Sequence, residues 1–94
     1  MNQIEKEVIY KQALEKWGIE SQLGMVQEEC GEVIVAVNKL FRSGINDATK
    51  RLALCEELAD VQVMINQMRE VPDWAALIDY IVVEKTIRLK ERLG

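Results

Sequence analysis

Gln27-Glu28-Glu29-Cys30-Gly31-Glu32-Val33 sets three carboxylates into the middle of a stretch that otherwise reads as an apolar helix. Residues three apart on a helix lie roughly 60° from one another, so Glu29 and Glu32 project from neighbouring turns of one side and can hold one object between them. A second acidic pair with the same spacing, Glu57 and Asp60, lies in Cys55-Glu56-Glu57-Leu58-Ala59-Asp60-Val61, again inside an apolar helical pattern. Two such pairs on two packed helices offer four hard oxygen donors.

Outward from these motifs the whole chain reads as helix. Glycine and proline are few, and apolar spacings of three and four dominate over strand-like alternation. The first helix is expected from Gln3 to Trp17, with Ile4, Val8, Ala13, Leu14 and Trp17 inward and Gly18 as its stop. The second starts at Ser21 or in the turn before it and runs to Arg42, with an inner stripe of Val26, Cys30, Val33, Val37 and Leu40. Ser43-Gly44-Ile45-Asn46-Asp47 is a turn. The third helix, Ala48 to Arg69, has Leu54, Leu58, Val61, Ile65 and Met68 inward. Val71-Pro72-Asp73 breaks the chain before a last helix from Trp74 to Leu93, apolar at Leu77, Ile78, Ile81 and Val82.

With these stripes as the core, the acids fall on its flanks. Glu29 and Glu32 lie roughly 60° and 120° from Val26, with Glu28 beyond them, and Glu57 and Asp60 lie roughly 100° and 160° from Leu58, beside Ala53, Met64 and Gln67. A solvated acidic face is the plain alternative. Against it, no basic residue stands at the i+4 positions that would stabilise an exposed acidic helix face, and like charges this close need compensation. Oxygen donors without cysteine or histidine select Mg²⁺ or Mn²⁺.

Composition narrows the chemistry. The 94 residues form one domain, 49% apolar and 30% charged, whose core is marginal in size, so association of subunits is favoured. Leu52, Ala59 and Val63 make the third helix apolar nearly all round, which also calls for burial on two sides. There is no histidine, which excludes imidazole triads, histidine-rich zinc sites and ferritin-like di-iron bundles. The net charge of −4 argues against a nucleic acid polymer as partner, so a phosphate compound needs a metal between. The polar start Met1-Asn2-Gln3 and the lack of a long apolar run argue against a signal peptide or a membrane span and for the cytoplasm. Cys30 and Cys55, without Cys-x-x-Cys spacing, are expected to be buried free thiols.

Glu-Glu-x-x-Glu at Glu28, Glu29 and Glu32, followed by Glu-x-x-Asp at Glu57 and Asp60, resembles the signature of the MazG-like all-α nucleoside triphosphate pyrophosphohydrolases. Lys16-Trp17-Gly18, Gln22-Leu23, Met25 and the closing Lys85-Thr86-Ile87-Arg88-Leu89 are similar to the short single-domain bacterial and phage members, so the resemblance covers most of the chain from Leu14 onward. It implies a four-helix bundle completed by oligomerisation, as a homodimer or homotetramer. It also implies Mg²⁺ held by Glu29, Glu32, Glu57 and Asp60, and cleavage of a (deoxy)nucleoside triphosphate to the monophosphate and pyrophosphate. Glu28 or Glu56 would orient water or complete a second metal site. Lys39, seven residues after Glu32, and Lys85 and Arg88 on the last helix are candidates for the phosphates. Trp17 and Gln22 are candidates for the base, as a stacking ring and an amide. The sequence departs from larger members where Gln67 occupies the face on which they carry asparagine. The alternative is a non-catalytic helical module that keeps the acids for metal-dependent assembly or nucleotide binding.

Overall fold

Each helix boundary follows from a local signal. In the computed structural model, which describes residues 1–94, the chain forms α1 (Gln3–Trp17), α2 (Ile19–Ser43), α3 (Ala48–Met68) and α4 (Trp74–Leu93), with no strand. Asn2 starts α1 by accepting the Glu5 N–H at 2.8 Å, and Asp47 starts α3 by accepting the Lys50 N–H at 3.1 Å. Gly18 alone separates α1 from α2, so α2 begins two residues earlier than Ser21. At φ 84° and ψ 155° Gly18 occupies a region open essentially to glycine only, and its N–H closes α1 on the Leu14 carbonyl. Gly44 ends α2 in the same way. Asp73, at φ 72°, turns the chain into α4.

α2 and α3 form an antiparallel hairpin, and α1 lies against both. The hairpin seam runs through Gln22, Val26, Glu29, Val33, Ala36 and Leu40 on α2. On α3 it runs through Lys50, Leu54, Glu57, Val61, Met64 and Met68. Spacings alternating between three and four make this a coiled-coil-like contact. It is rotated from the stripes expected on aliphatic density alone. Cys30, Leu58 and Ile65 are exposed, while Ala36, Met64 and Gln67 are buried. Both cysteines are therefore exposed free thiols rather than buried ones. On α1 the covered residues are Tyr10, Ala13 and Leu14, and the Tyr10 hydroxyl accepts from Asn66 Nδ2 at 3.3 Å, whereas Ile4, Val8 and Trp17 are exposed.

α4 stands largely apart. Its first turns approach α1 and the end of α3, where the Arg69 guanidinium donates to both oxygens of Asp79. Ile78 is half-buried, but Leu77, Ile81 and Val82, expected inward, are exposed, as are Tyr80, Val83, Ile87 and Leu89. No residue of α4 is fully buried. The accessible surface of 7353 Å² exceeds by roughly 1,800 Å² what a compact monomer of this mass presents. The radius of gyration, 16.0 Å, exceeds the roughly 12–13 Å of a compact domain of this length. No helix is long and apolar enough to cross a membrane.

Candidate functional site

Along one side of the hairpin, residues at alternating spacings of three and four bring like residues to the same level, with a separate depression toward each end. Gln22 of α2 stands opposite Gln67 of α3, and Met25 stands opposite Met64. One turn further on Glu29 meets Asp60, then Glu32 meets Glu57. Ala36 faces Ala53 and Lys39 faces Lys50 at the far end. The antiparallel register brings residues of similar chemistry to the same level, from amide through carboxylate to ammonium.

At the centre, carboxylate oxygens of Glu29, Glu57 and Asp60 lie within 4.8 Å of one another. Glu29 and Glu57 occupy the seam itself rather than its flank, half-buried, and Asp60 is exposed. Glu32 is exposed beside them, near enough that its charge acts on both Glu29 and Glu57. Loss of solvent raises the Glu29 carboxyl above its ordinary 4.5, and the charges of Asp60, Glu57, Glu28 and Glu32 raise it further. Glu57 is raised in the same way, by burial first and then by Glu32, Asp60 and Glu56, with Lys39 opposing. Glu28 and Glu56 themselves are exposed on the outer side of the two acidic motifs.

The donor set suits a hard divalent cation. It is all oxygen and carries excess negative charge that the protein does not neutralise in place, and Mg²⁺ or Mn²⁺ takes such ligands while retaining waters on the open side. Lys39 and Lys50 border a cavity of about 130 Å³ with Glu32, Val35, Ala36 and Glu57. Lys50 escapes sequence reasoning because its α3 position only reaches the α2 acids once the hairpin register is known. At the opposite end Trp17, Ser21, Gln22, Met25, Met64 and Gln67 line a largely apolar cavity of about 360 Å³ that is wide open to solvent. Trp17 forms its outer wall, with the Lys16 ammonium 5.4 Å from the ring centre. Lys85 and Arg88, on α4, are exposed and line neither of these cavities.

A pH dependence follows. Because Glu29 and Glu57 have folded pKa values above their unfolded ones, their contribution to stability is full below about pH 4.5 and is lost as pH rises through the raised values. Asp47, held down by the Lys50 N–H, and Asp79, held down by Arg69, act oppositely: their contribution is present above 3.8 and lost below it. Melting temperature without metal is therefore expected to fall as pH rises above about 4.5, and Mg²⁺ is expected to flatten that decline. Scanning calorimetry with chelator and with Mg²⁺ measures both curves, and parallel curves would contradict the expectation.

No protein-family profile, curated protein or solved structure matches this chain.

Proposed function

We propose that the chain is a cytoplasmic Mg²⁺-dependent nucleoside triphosphate pyrophosphohydrolase of the MazG-like all-α type, working as a homo-oligomer. The observation that carries it is the order of chemistry along one side of the hairpin: an indole-and-amide cavity, a carboxylate cluster and a pair of lysines. From Gln22 to Glu29 is about 10 Å along α2, and from Glu29 to Lys39 about 15 Å. A base, an α-phosphate and a polyphosphate tail follow one another on a similar scale.

Bound Mg²⁺ supplies charge neutralisation at the phosphate oxygens and a lower pKa for the attacking water. Glu29, Glu57 and Asp60 would hold it, with Glu32 beside them. Water would add to the α-phosphorus as the bond to the bridging oxygen breaks and pyrophosphate leaves, and Glu32, exposed beside the cluster, would take the water's proton. Lys39 and Lys50 receive the departing pyrophosphate. Trp17, Gln22 and Gln67 hold the base and so fix the α-phosphorus over the acids.

Self-association is supported by the surface excess of roughly 1,800 Å² per chain and by the exposed apolar residues of α4. Doubled, that area lies in the range of obligate homodimer interfaces. A purely binding module with the same acids also accounts for the half-exposed cluster, and turnover separates the two. Pyrophosphate release from ribo- and deoxynucleoside triphosphates is expected with Mg²⁺ or Mn²⁺ and is expected to vanish with chelator. A folded, metal-binding protein that releases none overturns the enzyme and leaves the module.

A further inference from the structure

Gln67 carries an unmet demand at the floor of the indole-lined cavity. It is 9% exposed, its Nε2 donates to the thioether of Met64 at 3.7 Å, and its Oε1 is buried without any hydrogen-bond partner. The opposite amide orientation would set the oxygen against the sulfur, which donates nothing, so the oxygen is the atom left over. A buried acceptor without a partner is costly, and the bond to sulfur that holds the carboxamide in place is weak. That contact is the only hydrogen bond of the Gln67 side chain, so no other would break if the carboxamide turned. Opposite it stands Gln22, only 5% exposed. Trp17 and the thioethers of Met25 and Met64 offer flat, polarisable walls. The volume, about 360 Å³, falls within the range of small-ligand sites.

We infer that this cavity selects a planar nitrogen heterocycle presenting an N–H donor on its edge, and that Gln67 Oε1 is the specificity-determining acceptor. The inference rests on this side of the hairpin being a nucleotide site, and it goes further by naming which edge of the base is read and by which atom. A site that leaves a polar atom unpaired discriminates strongly against ligands that cannot pair it, because the penalty then stays unrelieved. Bases with an exocyclic amine relieve it, and the same ring without the amine does not.

The test compares nucleosides, which have no phosphate and need no metal, on the full ¹⁵N-labelled chain. Adenosine is set against purine riboside, and cytidine against 2-pyrimidinone riboside; each second member lacks every N–H on its base. The Gln67 side-chain amide signals report the contact, and titration gives the affinity. The amine-bearing nucleosides are expected to bind about tenfold tighter and to shift the Gln67 signals. Gln67→Met, which keeps volume and apolar packing, is expected to erase the preference while binding to the cavity persists. Equal affinities within each pair, no shift with any nucleoside, or a preference that survives in folded Gln67→Met would each overturn the inference. If that variant fails to fold, the wild-type pairs decide alone. Pyrophosphate release is scored separately. Discrimination without turnover removes the enzyme and leaves this cavity, and turnover without discrimination does the reverse.

Discussion

Glu57→Gln is expected to lower metal-dependent pyrophosphate release by at least a hundredfold and, without metal, to raise the melting temperature by several degrees. The two effects share one cause. Glu57 sits in the hairpin seam, where an aliphatic residue would pack best, among the charges of Glu32, Asp60 and Glu56. Removing its charge relieves repulsion and desolvation together, and on the proposed function it would deprive the cation of one of its ligands. Glu57→Leu takes the first effect further, since it restores an apolar seam residue between Leu54 and Val61. A site that costs stability in the resting protein is the expected trade between fold and chemistry. Calorimetry with chelator, Mn²⁺ binding followed by electron paramagnetic resonance and the pyrophosphate assay cover the three readouts. A variant that melts lower without metal contradicts the strain assigned to the seam, and one that keeps full turnover removes Glu57 from the metal set.

Val83→Asp combined with Ile87→Asp is expected to convert an oligomer to a monomer and to weaken association by at least a hundredfold. Tyr80, Val83 and Ile87 share one face of α4, 68%, 58% and 52% exposed respectively. On the free surface of a monomer such substitutions change stability little. In an apolar interface they bury unpaired charge, which costs about 3–5 kcal/mol when no partner is present. Sedimentation velocity across a concentration series distinguishes the cases, and an oligomer's melting temperature also rises with concentration. A wild-type chain that sediments as a monomer throughout, with a melting temperature independent of concentration, contradicts association through α4.

The architecture was legible because its signals are local. Asn2, Gly18, Gly44, Asp47 and the Val71-Pro72-Asp73 break mark the helix ends, and all four helices lie within a few residues of where these signals put them. Orientation was harder to read. Centring the stripes on valine and leucine placed Cys30, Leu58 and Ile65 inward, whereas Gln22, Glu29, Glu57 and Gln67 take covered positions. Polar residues inside a seam break the rule by which seams are found, and such breaks gather where a site is built. Of the four metal candidates, Glu29, Glu57 and Asp60 converge, with Glu32 adjacent. Trp17, Gln22 and Gln67 share one cavity although they come from both sides of a helix end and from a distant helix. Lys50 was hidden because facing partners in an antiparallel pair depend on register, which no single helix records. The place of α4 was hidden for a related reason: its apolar residues announce burial without naming what covers them.

Gly18 alone joins the helices that carry Trp17 and Gln22. Trp17 is the last residue of α1 and Ser21 and Gln22 lie in the first turn of α2, so two of the three helices that line the cavity are joined by a single pair of torsions, while α3 supplies Met64 and the Gln67 floor. The position of Trp17 relative to Gln22 thus follows from one φ and one ψ. Any side chain at Gly18 would be strained at these torsions, so the placing of the indole beside the two glutamines is written as much in that backbone angle as in the residues that line the cavity.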